Sequence, residues 1–353
     1  MRRAELTAHA IALGLLVLAP WWLSPYDLSL LGRFLAMSIL ALGLTIVWGW
    51  SGLLSLGQGV FFGLGAYALA MNLKLAALAP GDLPDFMVWS GFSRLPWWWA
   101  PFRHPLVALA AVVLVPAAVA AAFGWLVFHR RVRGVYFALL TQALALAFST
   151  FLVSQQAYTG GFSGLTNFGP LFGVQLADQK GQTALYGVTL VLLTASYALA
   201  TWLSKSHFGR LLVAIRDGEN RVRFLGYNAA PYKVAAFTLA AAFAGLAGAL
   251  YVAQVGVISP DMVGVVPSIE MLIWVAVGGR ESLAGAVLGC LLVNFGKDWV
   301  SSAMPSLWLF VMGGLFVLVV TVLPRGIGQL VSVRVPRRRP AEVAPAAQEL
   351  AGQ

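Results

Sequence analysis

Long apolar stretches constrain this sequence more than any other feature. Residues 105–128 and 232–255 are each long enough for a membrane-spanning helix, which needs about 20 apolar residues. Strands of a membrane barrel would alternate apolar and polar residues, whereas these stretches are apolar on every face. Only 10% of the residues are charged, against roughly a quarter in soluble proteins, so lipid must be the solvent for most of the surface. The predicted fold is therefore an all-α, polytopic transmembrane helical bundle.

Further apolar stretches define the remaining spans. Arg2 and Arg3 precede the first, but no small-residue cleavage site follows it, so we predict a retained helix rather than a signal peptide. A glycine-rich segment, residues 52–73, follows the second span. The predicted spans cover residues 9–23, 28–48, 105–128, 135–154, 183–203, 233–255 and 307–323.

Basic residues indicate how the spans are oriented. They gather at residues 129–133, 205–233 and 325–339, in the short segments that flank the spans. Because positively charged loops stay in the cytoplasm, we expect these segments and both termini on the cytoplasmic side of the plasma (inner) membrane. Residues 79–104 and 155–182 are then external. The loops account for the net charge of +10, so the charge does not indicate nucleic-acid binding.

A charged break is predicted near the C-terminal end of the bundle. For the last span to run inward, residues 268–295 must begin and end on the outer side. The centre of this segment, Gly278-Gly-Arg-Glu-Ser282, combines helix breakers with two charges. We predict two short helices that meet at this break, as in re-entrant segments whose backbone lines a cavity or is buried in protein.

The chain divides into one large and one small part. Residues 1–328 form the predicted transmembrane domain, with a cytoplasmic loop at residues 204–232. Residues 329–353 are rich in proline, arginine and alanine and lack an apolar period, so a disordered basic cytoplasmic tail is predicted.

Motifs for chemistry on the chain itself are missing. A phosphate-binding loop needs G-x-x-x-x-G-K-[ST], and the nearest approach, Gly296-Lys297, is followed by Asp298. Neither a zinc-protease motif nor a nucleophile elbow occurs, and the four histidines lie at predicted membrane edges or in loops. Cys290 is the only cysteine, so no disulfide can form within the chain. We expect no enzyme activity, no metal site and no cofactor in this chain.

The loop between two spans carries an amphipathic pattern. Apolar residues recur at i, i+3, i+4 and i+7, which is one face of a helix, and polar residues fill the rest. The spacing alone predicts a short amphipathic helix that lies on the bilayer surface. The apolar face holds Phe208, Leu211, Leu212 and Ile215, and the polar complement holds Arg210, Arg216, Asp217 and Glu219.

Two glycine-rich blocks carry a family resemblance. Gly52-Leu-Leu-Ser-Leu-Gly57-Gln-Gly59 and Gly245-Leu-Ala-Gly248-Ala-Leu-Tyr251 resemble the permeases of branched-chain amino acid ABC importers, over about residues 28–328. The resemblance implies a partner permease (a heterodimer), two ATPase subunits that bind ATP, and an external solute-binding protein. It also implies that the amphipathic loop docks into the ATPase. The implied coupling residues are Phe208, Gly209, Arg210, Leu211, Leu212, Ile215, Arg216, Asp217, Glu219 and Gly226.

Other motifs resemble the urea-importing branch of this family. They include Asp82-Leu-Pro-Asp-Phe-Met87, Arg221-Val-Arg-Phe-Leu-Gly-Tyr-Asn228 and Trp274-Val-Ala-Val-Gly-Gly-Arg280. This resemblance implies ATP-driven import of urea. Two alternatives stay open. One is the amino-acid branch of the same family, and the other is a stand-alone urea channel or secondary transporter, which would need no ATPase-docking loop.

Polar residues and glycines inside spans are the remaining candidates. Polar side chains in lipid usually face a cavity or another helix, so the substrate-path candidates are Gln58, Thr141, Gln142 and Glu270. The alternatives are hydrogen bonds between helices and, for Glu270, a place in the first turn of a helix, where an acid complements the dipole. Small residues allow close helix approach in lipid. The predicted packing glycines are Gly59, Gly63, Gly245, Gly248, Gly285 and Gly289.

Overall fold

The computed structural model describes residues 3–304 except residues 80, 131, 133 and 177, together with residues 307, 310, 311, 313, 314, 317, 318, 321, 326 and 327. This part of the chain is helical and contains no strand, which confirms the all-α class. The helices are α1 Arg3–Trp22, α2 Pro25–Leu44, α3 Gln58–Ala76, α4 Asp85–Trp89, α5 Pro105–His129, α6 Val135–Ser154, α7 Gln156–Thr159, α8 Gln179–Lys205, α9 His207–Phe224, α10 Ala229–Val255, α11 Val265–Gly278 and α12 Leu283–Ala303.

Eight stretches of the described residues are long and apolar enough to cross a membrane, which confirms a polytopic helical bundle. The first joins α2 to a π-helical turn, Thr45–Trp50. The others are formed by α3, α5, α6, α8, α10, α11 with its preceding 3-10 turn Pro260–Met262, and α12. The predicted last span and the basic tail lie outside the continuously described residues.

Capping side chains fix several helix starts. The Ser24 hydroxyl accepts a hydrogen bond from the Asp27 backbone N–H, and Pro25 occupies the first helical position of α2. The Asn228 side chain accepts from the Ala230 N–H, so α10 begins at Ala229, four residues before the predicted start. Ser206 and Ser282 cap α9 and α12 in the same way.

Helix α10 is the centre of the bundle and packs against α2, α3 and α5. It is rich in alanine and glycine, and Ala236, Ala241 and Ala247 are completely buried. Small side chains let neighbouring helices come close, which strengthens packing where lipid removes the hydrophobic drive between helices. Leu106, Leu114 and Trp125 of α5 remain exposed and can face lipid or another subunit.

Helix α3 begins inside the bundle after seven irregular residues. Gly52, in the irregular segment, lies against Arg216 of α9, whereas Asn72 near the end of α3 donates to the Phe102 carbonyl, before α5. We call the side of the bundle where Gly52 contacts α9 the α9 end, and the opposite side, where Asn72 lies, the far end. The Gly59 N–H at the start of α3 donates to Ser268 Oγ of α11, which lies between the two ends. Residues 51–57 therefore cross part of the bundle without regular structure.

The predicted break between two helices separates α11 from α12. Only residues 279–282 lie between them, and they sit at the α9 end, where Glu281 pairs with Arg216. The prediction that both helices are short is wrong for α12, which has 21 residues and the length of a full span. The turn stays short because Ser282 caps α12 at once and Gly278 packs against Gly285. Ile327 returns to the same end, where its N–H donates to the Val277 carbonyl.

Candidate functional site

The start of α3 holds polar groups that are buried without partners. Gln58 is 1% exposed, and neither its amide oxygen nor its amide nitrogen has a hydrogen-bond partner. The hydroxyl of Ser55 is likewise enclosed and unpaired. Gly57 precedes the helix and offers no capping side chain. Helix starts that lie within a bundle and present free polar groups are typical of solute sites in transporters, and an unpaired buried polar group otherwise costs about 1–3 kcal/mol.

Thr141 lies beside this helix start. Its hydroxyl donates to the Ala138 carbonyl and accepts from the Leu56 backbone N–H at 3.0 Å, so it ties α6 to the irregular segment. A side chain on Gly57 would collide with the Thr141 carbonyl. The structure thus brings two of the predicted path residues, Gln58 and Thr141, to one place, where Thr141 already has hydrogen-bond partners. Gln142, the next residue, is only half-buried.

Glu270 is placed differently from its predicted position. Helix α11 begins at Val265, so Glu270 lies in the second turn, and its assignment to the first turn is wrong. Pro267 does not mark the helix start, because proline is tolerated throughout the first turn. The Glu270 carboxylate accepts from Lys297 of α12 at 2.7 Å.

The apolar face of α9 packs against the chain's own bundle. Leu212 and Ile215 are 0% and 2% exposed, and Ile215 clusters with Leu211, Val222 and Ala229. The Phe208 ring lies 6.2 Å from the Tyr232 ring. Leu211, Leu212 and Ile215 therefore seat α9 on the bundle, whereas Phe208 is only half-buried. Gly209, behind the face, lies against the Leu203 carbonyl, where a larger residue would collide.

Arg216 connects α9 to two other parts of the bundle. One guanidinium nitrogen donates to the Gly49 carbonyl at 2.5 Å and to the Glu281 carboxylate at 3.1 Å. The guanidinium Nε donates to the neighbouring Asp217 at 2.9 Å. Gly49 belongs to the π-helical turn after α2, and Glu281 lies in the break before α12. A displacement of α9 would therefore pull on both α2 and the α11–α12 pair.

The second half of α9 turns away after Gly218, whose backbone leaves the helical conformation. Glu219 holds this half in place because it accepts from Arg223 at 2.7 Å and from Lys233 of α10 at 2.8 Å. Beyond it, Phe224 and Leu225 are 93% and 77% exposed, and Gly226 follows with a positive φ of 88°. The amphipathic pattern did not single out Phe224 and Leu225, although two adjacent apolar residues beside Gly226 were a usable signal.

The six predicted packing glycines all lie in close contacts, five of them against a neighbouring backbone and Gly63 against the Val263 side chain. A Cβ on Gly59 or Gly63 would collide with Val263, and one on Gly248 would collide with the Phe62 carbonyl. Gly245 lies against the carbonyl of residue 112, and Gly285 and Gly289 lie against the end of α11. Small residues at these positions are what allows α3, α10 and α12 to approach their neighbours.

Comparison with known proteins places this bundle among membrane permeases. A family model described as "Branched-chain amino acid transport system / permease component" matches residues 27–320. The chain belongs to this family of transport permeases, which are not enzymes. No solved structure matches the chain.

Individual relatives point to the same family. The high-affinity branched-chain amino acid transport system permease protein LivM of Salmonella typhimurium is 28% identical over 340 residues, which cover 89% of this chain and 73% of LivM. The corresponding protein BraD of Pseudomonas aeruginosa is 26% identical, over 82% of this chain and 90% of BraD. The autoinducer 2 import system permease protein LsrC of Escherichia coli is 31% identical over 40% of this chain and 42% of LsrC. None of these three names mentions urea.

Proposed function

We propose that this chain is one permease subunit of an ATP-binding-cassette importer and that α9 transmits the ATPase movement. The main support for this proposal is the position of Arg216, whose guanidinium joins α9 to the Gly49 carbonyl and to Glu281. A helix that merely rested on the bilayer would need no such connection to α2 and to the α11–α12 break. Allosteric coupling requires an element whose movement changes contacts at a second site, and this connection supplies one.

The proposed assembly contains partners on both faces. Of the two ATPase subunits, one would bind the exposed second half of α9, where Phe224 and Leu225 offer apolar side chains. A second, related permease would complete the translocation path, and an external solute-binding protein would deliver substrate to the far end. The α9 end is then cytoplasmic, as the basic residues around α9 favour.

For the substrate we propose an amino acid, in particular a branched-chain one, in place of the urea predicted from the sequence. LivM and BraD, which match most of the chain, are named for branched-chain amino acids. An amino acid carries two opposite charges, and a low-dielectric path must offer charged partners for them. Glu270 and Lys297 lie within α11 and α12, and Arg33 lies within α2, so charged groups are available there.

The test is solute uptake by the complete complex in liposomes. Radiolabelled leucine and radiolabelled urea are compared at equal low concentration, with the loaded binding protein outside and ATP inside. We expect ATP-dependent leucine accumulation and no urea accumulation. Omission of ATP, or an inactive ATPase partner, should abolish uptake.

Two results would overturn this function in different ways. Urea accumulation without leucine accumulation would show that the substrate is urea, as in the family branch that the sequence motifs resemble. Equal uptake with and without ATP would identify a stand-alone channel or secondary transporter, and α9 would then have no coupling function.

A further inference from the structure

Four polar side chains lie on the neighbouring helices α2, α10, α11 and α12, nearer the far end than the α9 end. Glu270 and Lys297 form an ion pair of 2.7 Å, and Tyr251 of α10 lies within electrostatic reach of both Glu270 and Arg33. With two cations and one carboxylate, this group of charges has an excess of one positive charge. An excess positive charge favours an anionic ligand.

Contacts between α2 and α12 bring together the two helices that carry these cations. The Phe34 ring packs edge-on against the Phe295 ring with 4.8 Å between centroids. Arg33 precedes Phe34, and Lys297 follows Phe295 by two residues. Arg33 is eight residues inside α2, so it lies about 12 Å from the start of that helix at 1.5 Å per residue. This depth is well within the span.

Arg33 is half-buried and differs from the two fully buried lysines of the described chain. Lys74 pairs with Asp85 at 2.9 Å, and Lys233 pairs with Glu219 at 2.8 Å. In the described part of the chain, Arg33 makes no ion pair, and its Nε atom is enclosed without a hydrogen-bond partner. Ionised groups at membrane depth normally face a partner or a water-filled path, because lipid cannot solvate them.

A second unpaired atom lies next to Arg33. The Gln254 amide nitrogen donates to the Thr189 hydroxyl at 2.8 Å, but the Gln254 amide oxygen is enclosed and unpaired. Gln254 packs against Gly32, where a Cβ would lie 2.5 Å from the amide oxygen. The structure therefore leaves both a charged donor and a neutral acceptor unused at one level of the bundle.

This polar region is connected to the start of α3. The Phe62 ring packs against the Tyr251 ring with 5.4 Å between centroids. Gln58 lies four residues before Phe62, which places both on the same face of α3. The Tyr251 ring thereby contacts the same face of α3 that carries the unpaired Gln58 amide.

We propose that Arg33 binds the carboxylate of the amino-acid substrate during its passage. This proposal rests on the proposed function as an amino-acid importer. The planar guanidinium can donate two parallel hydrogen bonds to a carboxylate, and such charge-assisted pairs are among the strongest in proteins. Lys297 adds positive charge nearby, and Glu270 keeps Lys297 in place. Passage of the substrate would briefly neutralise the excess charge.

The experiment uses the complete complex in liposomes and measures two quantities, the leucine transported per ATP hydrolysed and the ATPase rate with loaded binding protein. Arg33→Gln should lower leucine transported per ATP at least tenfold while the stimulated ATPase rate remains. Arg33→Lys should recover part of the transport, because it keeps the charge and loses the planar fork. Arg103→Gln removes an exposed arginine at the same end and should change neither quantity.

Each other outcome overturns the proposal. Leucine transport by Arg33→Gln equal to that of the unaltered protein would remove Arg33 from the path. Equal loss of transport and ATPase stimulation would show a purely structural function. If Arg33→Gln failed to co-purify with the second permease, the group that Arg33 binds would belong to that subunit. If the effect of Arg33→Gln appeared only in liposomes with anionic lipid, that group would be a lipid headgroup. Absence of leucine transport in the unaltered complex would instead overturn the proposed function itself.

Discussion

Arg216 of α9 and Glu281 of the α11–α12 break form an ion pair of 3.1 Å, although 65 positions separate them in the sequence. The same guanidinium nitrogen reaches the Gly49 carbonyl. One side chain thereby holds together the amphipathic helix, the end of α2 and the turn between two spans. Substitutions of Arg216 should therefore affect the coupling between ATPase and transport separately from the stability of the fold.

Charge reversal at Arg216 should uncouple transport from ATP hydrolysis. The side chains of Arg216 and Glu281 are 20% and 61% exposed, and a pair this exposed contributes no more than about 1 kcal/mol to stability. We expect Arg216→Glu to insert normally but to abolish leucine uptake and the stimulation of ATPase activity by loaded binding protein.

The reversed pair Arg216→Glu with Glu281→Arg should restore part of the coupling. The restoration stays partial because a glutamate cannot donate to the Gly49 carbonyl. Lys205→Glu changes the charge of an exposed residue at the same end and serves as the control. Normal uptake by Arg216→Glu would show that α9 does not transmit movement through this residue.

Phe224 should contribute to ATPase binding. Its side chain is 93% exposed, so Phe224→Ser removes little packing within the chain and should leave thermal stability within about 0.5 kcal/mol. We expect at least tenfold weaker co-purification of the ATPase subunits, whereas Phe224→Leu should retain most of the binding. Phe162→Ser alters a residue of similar exposure at the far end and should have no effect. Undiminished ATPase binding by Phe224→Ser would indicate that Phe224 contacts lipid.

The orientation of the bundle can be tested with single cysteines. Cys290 is completely buried, and Cys290→Ala removes any background labelling. We expect Asp217→Cys, in α9, to react with an impermeant thiol reagent only from the cytoplasmic side. Lys180→Cys, at the start of α8 on the opposite side, should react only from outside. The reverse pattern would invert the proposed topology and exclude α9 from ATPase contact.

Gly248 should tolerate no side chain. A Cβ there would collide with the Phe62 carbonyl, and backbone cannot move aside as a flexible side chain can. Gly248→Ala should therefore separate α3 from α10 and lower stability by about 1–3 kcal/mol, measured by thermal unfolding in detergent. Gly187→Ala has open space around it and should raise stability by up to about 1 kcal/mol. Equal effects of the two changes would contradict the close packing of α3 and α10.

Much of the fold was predictable because lipid imposes simple rules on sequence. Apolar length located the spans, and the charged break between α11 and α12 followed from the need for the basic segments to share one side. Helix ends were less predictable, because they depend on single capping side chains such as Asn228. The start of α12 depends in the same way on Ser282.

The candidate site was predictable only in part. Gln58 could be singled out as a polar residue in an apolar stretch, and Arg33, a charge within the predicted span 28–48, gave an equally usable signal. That Arg33 lacks an ion-pair partner is visible only in the structure. The amphipathic pattern of α9 gave the apolar face but not what covers it. A periodic stripe looks the same whether it packs on its own bundle, on lipid or on another subunit, and only tertiary contacts distinguish these cases.

Replacement of Gln58 should stabilise the protein and impair transport at once. Gln58 is 1% exposed and both polar atoms of its amide are unpaired, so Gln58→Leu removes a desolvation penalty of about 1–3 kcal/mol at similar side-chain volume. Thermal unfolding should shift upward accordingly, and leucine uptake should fall at least tenfold, because the start of α3 would offer the solute no amide. Thr238→Val removes another enclosed, unpaired hydroxyl, in α10, and should raise stability without loss of uptake. A stabilised Gln58→Leu protein with full transport would show that the amide lies off the path, and a destabilised one would show that Gln58 has a structural partner.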